Sequence, residues 1–158
     1  MNPIERVTED DDYFFNERIY LAGALRDKDL LQFYLERERR ENAWTSIALA
    51  GNLPFLRFLH LEGFPWNEDT CRAAAEGGHL EMLKWLRSED CPWDDGTSQA
   101  AAERGDLEML KWLCSEGCPW DKEACEAAAR EGHLEVLKWL RSEGCSYSWT
   151  PGSVDVAS

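Results

Sequence analysis

The sequence predicts an all-α fold, an α-solenoid of stacked helix-turn-helix repeats, and three observations carry that expectation. An aromatic column, Trp66, Trp93, Trp120 and Tyr147, advances by 27 residues at each step. The same step links Gly51, Gly78, Gly105 and Gly132, then Phe58, Trp85, Trp112 and Trp139. Within each copy the apolar residues recur at helical rather than strand spacing, and β-branched residues are few. A fixed period of this length is the signature of a repeat array, in which each unit buries its apolar face against its neighbours.

Residues 66–92, 93–119 and 120–146 are three near copies sharing an Ala triplet and a Lys-Trp-Leu triplet, and residues 39–65 form a diverged fourth. Upstream, DLLQFYL (29–35) parallels EMLKWLR (81–87), so residues 13–38 are read as a degenerate first unit of about five. Asn67, Asp94 and Asp121 stand where an N-cap is needed, ahead of the small, strongly helix-forming Ala triplets. Gly78, Gly105 and Gly132 end this first helix, since its last residue is tolerated best in a left-handed conformation without a β-carbon. In LEMLKWL (80–86), Leu80, Met82, Leu83, Trp85 and Leu86 form a broad apolar face that must be buried, leaving Glu81 and Lys84 to pair outside. Gly63, Gly117 and Gly144 close the second helix, with Asp90 the least comfortable member of that column. Pro65, Pro92 and Pro119 prevent its continuation. A leucine-rich repeat of similar period would need an LxL strand and an Asn or Cys ladder, which these copies lack.

The segment AAAREGHLEVLKWLRSEGC (127–145) resembles the ankyrin repeat, whose usual core runs close to LAAREGHLEVVKLLLEAGA. The likeness covers residues 39–146 well and 13–38 weakly. Two departures stand out. The repeat has 27 residues rather than 33, the missing six falling where the family carries its projecting β-hairpin finger. The family's TPLH motif is replaced by DTCR (69–72), GTSQ (96–99) and EACE (123–126), with only Thr70 and Thr97 matching it. The resemblance implies a protein-binding scaffold without catalytic activity. With the fingers shortened, the first-helix surface is the expected place of contact.

Comparison among the copies points to the same surface. The columns that hold the fold are constant, while four polar columns vary: Glu68/Asp95/Lys122, Asp69/Gly96/Glu123, Arg72/Gln99/Glu126 and Glu76/Glu103/Arg130. Such positions are either a tunable binding face or unconstrained drift. With the loop residues Trp93 and Trp120, they form the candidate partner-binding set. The tryptophan columns 66/93/120 and 85/112/139 are read as core, more firmly for the second, or else as an aromatic groove.

The chain holds 17 Lys and Arg against 31 Asp and Glu, a formal net charge of −14, which repels a phosphate backbone and disfavours nucleic acid. The same charge suggests a protein partner with a basic patch. A hydrophobic content of 44% excludes wholesale disorder. No apolar run of membrane-spanning length or leader-like start is seen, so a soluble cytoplasmic protein is expected, with the nucleus also open. Reduced thiols follow from that location. Cys91, Cys118 and Cys145 should lie too far apart, as successive members of one column, to pair with each other, and are read as buried small hydrophobes.

Cys114, Cys118 and Cys125 could meet in one inter-repeat loop, but no CxxC and no nearby His support a metal. His79 and His133 share a column with Asp106, which suits a helix-starting position. No nucleophile signature and no phosphate loop of the GxxxxGK[ST] type occurs, so neither an enzyme nor a cofactor is expected. Lys84, Lys111 and Lys138, each three residues after a Glu, with Arg57, read as a self-neutralised solvated ladder. Residues 1–12 form an acidic tail, or an interaction motif running into Tyr13, Phe14 and Phe15, and residues 147–158 break the repeat at Pro151-Gly152. An uncapped last repeat leaves a second reading, a structural subunit or homo-oligomer packed through that end.

Overall fold

The computed structural model describes residues 29–30, 32–33 and 39–145. Most of the proposed first unit, both tails and Tyr147 lie outside the described residues. Eight helices follow in pairs: α1 (Arg39–Leu49) with α2 (Leu53–Leu61), α3 (Glu68–Glu76) with α4 (Leu80–Ser88), α5 (Asp95–Arg104) with α6 (Leu107–Ser115), and α7 (Lys122–Arg130) with α8 (Leu134–Ser142). No strand occurs among the described residues. The fold is an all-helical repeat solenoid, and each pair occupies one 27-residue copy.

The caps are those the sequence specifies. The side-chain oxygens of Asn67, Asp94 and Asp121 accept hydrogen bonds from the backbone amides of Asp69, Gly96 and Glu123. These satisfy amides that the first turn of a helix leaves without partners. Gly78, Gly105 and Gly132 have φ of 74°, 75° and 74° in the turn between paired helices. After the second helices, Gly63, Gly117 and Gly144 are again left-handed. Asp90, the lone non-glycine residue of that column, takes φ 59° and is the sole non-glycine residue at positive φ among those described.

First helices pack on first helices in succession, α1 on α3, α3 on α5 and α5 on α7. Small side chains line these first helices: Ala48, Ala75, Ala102 and Ala129, one repeat apart, are all buried, beside the column of Ile47, Ala74, Ala101 and Ala128. Second helices contribute the larger part of the core through Leu56/Leu83/Leu110/Leu137 and Leu59/Leu86/Leu113/Leu140. Leu30, from upstream of the first described pair, packs against the same core. The tryptophan columns stand at its margin, since Trp85, Trp112 and Trp139 are half-buried, as are Trp66, Trp93 and Trp120. The expectation that the 85/112/139 column is core therefore holds for its inner edge alone.

Three substitutions test this arrangement. Leu110→Ala removes a fully buried side chain at a junction that cannot collapse, and should cost about 2–5 kcal/mol in denaturant unfolding. Trp112→Ala should cost less, because that side chain is only partly buried at the margin of the core. Asp90→Gly should raise stability, by up to about 1 kcal/mol, because it removes the β-carbon from a left-handed residue. An unchanged midpoint for Asp90→Gly would show that the Asp side chain compensates locally.

Candidate protein-binding groove

The four varying columns do not form one continuous patch. Arg72, Glu76, Asp95, Gln99 and Glu103 converge on a groove of about 340 Å³ between α3 and α5, floored by Gly96 and Ala100. A second groove of about 240 Å³ between α1 and α3 is lined by Thr45, Ser46, Leu49, Asp69, Arg72, Ala73 and Glu76. Arg72 and Glu76 face both, so the two read as one surface running across three first helices. Glu68, Lys122, Glu123, Glu126 and Arg130 lie outside these grooves, with Lys122, Glu123 and Arg130 exposed on the last first helix.

Sequence comparison missed three lining residues that the same arithmetic reaches. Thr45 and Leu49 stand one repeat before Arg72 and Glu76 in two of the varying columns, and Ser46 precedes Ala73 and Ala100. Leu49 is 48% exposed, which gives this end of the groove an apolar contact that the rest lacks.

Arg72 is the groove's central cation, and its position is tightly determined. Its guanidinium pairs with Asp69 at 3.0 Å and with Asp94 at 3.2 Å. A β-carbon on Gly96 would run into Arg72 Nε, so glycine at that place lets the arginine lie flat across the start of α5. Gln99 donates to Glu103 Oε1 at 3.1 Å, which steers that carboxylate along the groove wall. With Arg72 shared between two aspartates, the carboxylates of Glu76, Asp95 and Glu103 leave the groove acidic.

Trp93 and Trp120 are placed away from the groove, in the loops before the first helices. Trp93 packs edge-to-face on Trp112, with ring centres 5.9 Å apart, and Arg87 of the preceding copy lies 4.3 Å over its face. Trp66 repeats the arrangement, edge-to-face with Trp85 at 5.6 Å and stacked on His60 at 4.0 Å. His60 and Arg87 occupy one column, so at two successive junctions a ring or guanidinium from the second helix covers the next loop tryptophan, whereas Cys114 holds that place before Trp120. These tryptophans knit neighbouring copies together. Of the basic ladder, Lys84 and Lys138 pair with Glu81 and Glu135 as expected, whereas Arg57 lies 5.5 Å over Trp85.

The histidine column stands at helix starts, as expected, and its imidazoles also work between copies. Asn52 and Asp106 do cap their helices, accepting from Phe55 and Met109 amides. His79 and His133 make no cap bond and instead hydrogen-bond through Nε2 to the Leu49 and Glu103 carbonyls, both at 2.8 Å. At the intervening junction Arg104 donates to the equivalent carbonyl of Glu76 at 3.3 Å. Gly51, Gly78 and Gly105 lie directly beneath these three side chains, where a β-carbon would collide with them.

The thiols depart further from expectation. Cys125 and Cys145 form a disulfide, their α-carbons 6.9 Å apart, which corrects the reading of Cys145 as a reduced buried hydrophobe. Members of the 91/118/145 column do not pair with each other, but Cys145 meets a residue of a different column. Cys71, Cys91 and Cys118 are buried free thiols and Cys114 is half-buried. Burial pushes the Cys118 thiol up to about 11, partly offset by the Ser98 hydroxyl donating to it at 3.3 Å. Burial likewise raises Cys114, with Glu143 adding to the shift. Among the described residues no group of three or more His, Cys, Asp or Glu side chains is placed to hold a metal, and no helix is long and apolar enough to cross a membrane.

A family model of ankyrin repeats, in 3 copies, matches residues 70–150. The chain belongs to the ankyrin-repeat family. No curated protein matches it. Ankyrin repeats are generally protein–protein interaction modules and are typically non-catalytic. In this array residues 62–67, 89–94 and 116–121 join one copy to the next with no strand, in place of the finger that the longer repeat implies. The surface that remains is the one carrying the groove.

Asp94 links three parts of the array. It caps α5, holds Arg72, and accepts the Cys118 thiol on its own carbonyl at 3.5 Å. Asp94→Ala should cost about 1–2 kcal/mol through the lost cap. Asp94→Asn should retain most of that stability while weakening the hold on Arg72. Equal losses in the two variants, measured by denaturant unfolding, would mean that the charge rather than the cap carries the stability.

Proposed function

We propose that this ankyrin array is a non-catalytic adaptor that takes a basic protein segment along the first-helix groove spanning α1, α3 and α5. The observation that carries the reading is the convergence of Arg72, Glu76, Asp95, Gln99 and Glu103 over a floor of Gly96 and Ala100. The small floor residues let a partner backbone or a long side chain descend between helices. The carboxylates on the walls favour Lys or Arg there, and Leu49 offers a contact for an apolar neighbour. The formal charge of −14 adds long-range attraction for a basic partner, which speeds encounter and fades with salt.

The test is recovery of companion proteins from the native source on the intact chain and on a Glu76→Lys/Glu103→Lys variant, across a salt series. Companions bound to the native chain should be released by added salt and reduced at least tenfold on the variant. A control reversal on the second helices, Glu108→Lys/Glu135→Lys, keeps the same net charge change and should retain them. Equal loss on both variants would reduce the effect to overall charge and remove the groove from the reading. A stoichiometric, salt-resistant companion that both variants keep would favour the structural-subunit reading. Leu134, 46% exposed on the last second helix, is where such a contact would be sought first.

A further inference from the structure

The two cysteine columns form a second periodic feature, distinct from the groove. Cys71, Ser98 and Cys125 stand at one position of successive first helices. Cys91, Cys118 and Cys145 stand 20 residues after them, the separation of the disulfide between Cys125 and Cys145. The three pairs are therefore three copies of one juxtaposition. In the last copy the sulfurs are bonded. In the middle copy the Ser98 hydroxyl meets Cys118 sulfur at 3.3 Å. In the first, Cys71 and Cys91 are both fully buried, and the Cys71 side chain acts on the Cys91 thiol closely enough to raise its pKa.

We infer that Cys71 and Cys91 are a second disulfide site, closed by exchange with a low-molecular-weight disulfide such as oxidised glutathione. Three things support the pairing. The repeat geometry that bonds Cys125 to Cys145 also places Cys71 beside Cys91. The backbone around the pair is held as in the other copies, with Cys91 sulfur 3.6 Å from the Asn67 carbonyl and Cys118 sulfur 3.5 Å from the Asp94 carbonyl. The Ser98–Cys118 contact shows that a group of this size fits the space without displacing either element.

The chemistry balances in two exchanges. One protein thiol loses its proton, and the thiolate attacks a glutathione sulfur to give a protein–glutathione mixed disulfide and one glutathione thiolate. The partner cysteine, once deprotonated, then attacks the protein sulfur, forming the Cys71–Cys91 bond and releasing the second glutathione thiolate, and the two glutathione thiolates take up the two protons. Two protein thiols are oxidised and one glutathione disulfide is reduced. The interaction with the Cys71 side chain, and burial after it, hold the Cys91 thiol above its ordinary range, so closure is slower than at an exposed pair. Each bond ties the start of a first helix to the loop leaving the same copy, so oxidation would fasten the second and fourth described copies and leave the third unbonded.

The experiment equilibrates the native protein in glutathione buffers of graded oxidation, from the fully reduced and fully oxidised sides, then alkylates free thiols and maps peptides by mass. The expected product at high oxidation has two bonds, with a Cys71–Cys91 cross-linked peptide recovered beside Cys125–Cys145. Cys71→Ser should hold one bond and remain folded, since it recreates the native Ser98–Cys118 pair. Ser98→Cys should gain a third, to Cys118. Alkylation of both Cys71 and Cys91 under conditions that fully close Cys125–Cys145, or their recovery as separate glutathione adducts, overturns the inference, as does failure of Ser98→Cys to gain a bond.

Discussion

Close approach of the first helices is the constraint on which the remaining structure depends. Ala48, Ala75, Ala102 and Ala129 stand one repeat apart in a single buried column, and a larger side chain there would push successive copies apart. Small residues cost little side-chain entropy on folding but contribute little apolar area. The leucines and methionines of the second helices supply that area instead. The two helices of a copy thus divide the work, one setting the spacing and the other filling the core. A lone copy would expose both faces, so stability accumulates only across junctions.

The same spacing determines which polar groups can bridge copies. A carbonyl near the end of each first helix, at Leu49, Glu76 and Glu103, takes a side chain from the next copy, supplied by His79, Arg104 and His133. Where Asp106 interrupts the histidine column to cap its own helix, Arg104, two residues earlier, does the bridging. A residue that differs between copies can therefore preserve the same junction. Gly51, Gly78 and Gly105 serve both the turn and the bridge, because each lies under a bridging side chain as well as reversing the chain.

Most of the architecture was legible in the sequence because it rests on local rules repeated at a fixed period. Caps at Asn67, Asp94 and Asp121, breaks at the glycines, and even the awkward Asp90 follow from neighbours within a few residues. What the sequence hid were contacts between columns. Comparing Cys91, Cys118 and Cys145 with one another shows only that they stand one repeat apart, and their partners lie in the column of Cys71, Ser98 and Cys125. The tryptophans were misjudged for a related reason. Apolar periodicity marks the face a ring belongs to, but how deeply it sinks depends on the His60 or Arg87 arriving from the copy before. Five of the candidate binding residues gather in one groove because the columns at 72 and 76 converge between α3 and α5. The polar positions of α7 lie outside both grooves.

Placing a binding surface on the first helices has a physical consequence for how the array can change. Alanines buried along one side and polar residues exposed on the other share the same nine or ten residues of helix. A substitution at 72, 76, 99 or 103 alters the groove without touching the alanine line. Gly96 is the exception, because its missing β-carbon is what lets Arg72 reach Asp94, and that aspartate also caps α5 and receives the Cys118 thiol. At this one junction the groove, the helix start and the thiol column meet in a single residue, the first two through its carboxylate and the third through its backbone carbonyl. A change of that side chain would be felt in both the groove and the helix start, whereas elsewhere on the surface the polar columns can drift independently of the fold.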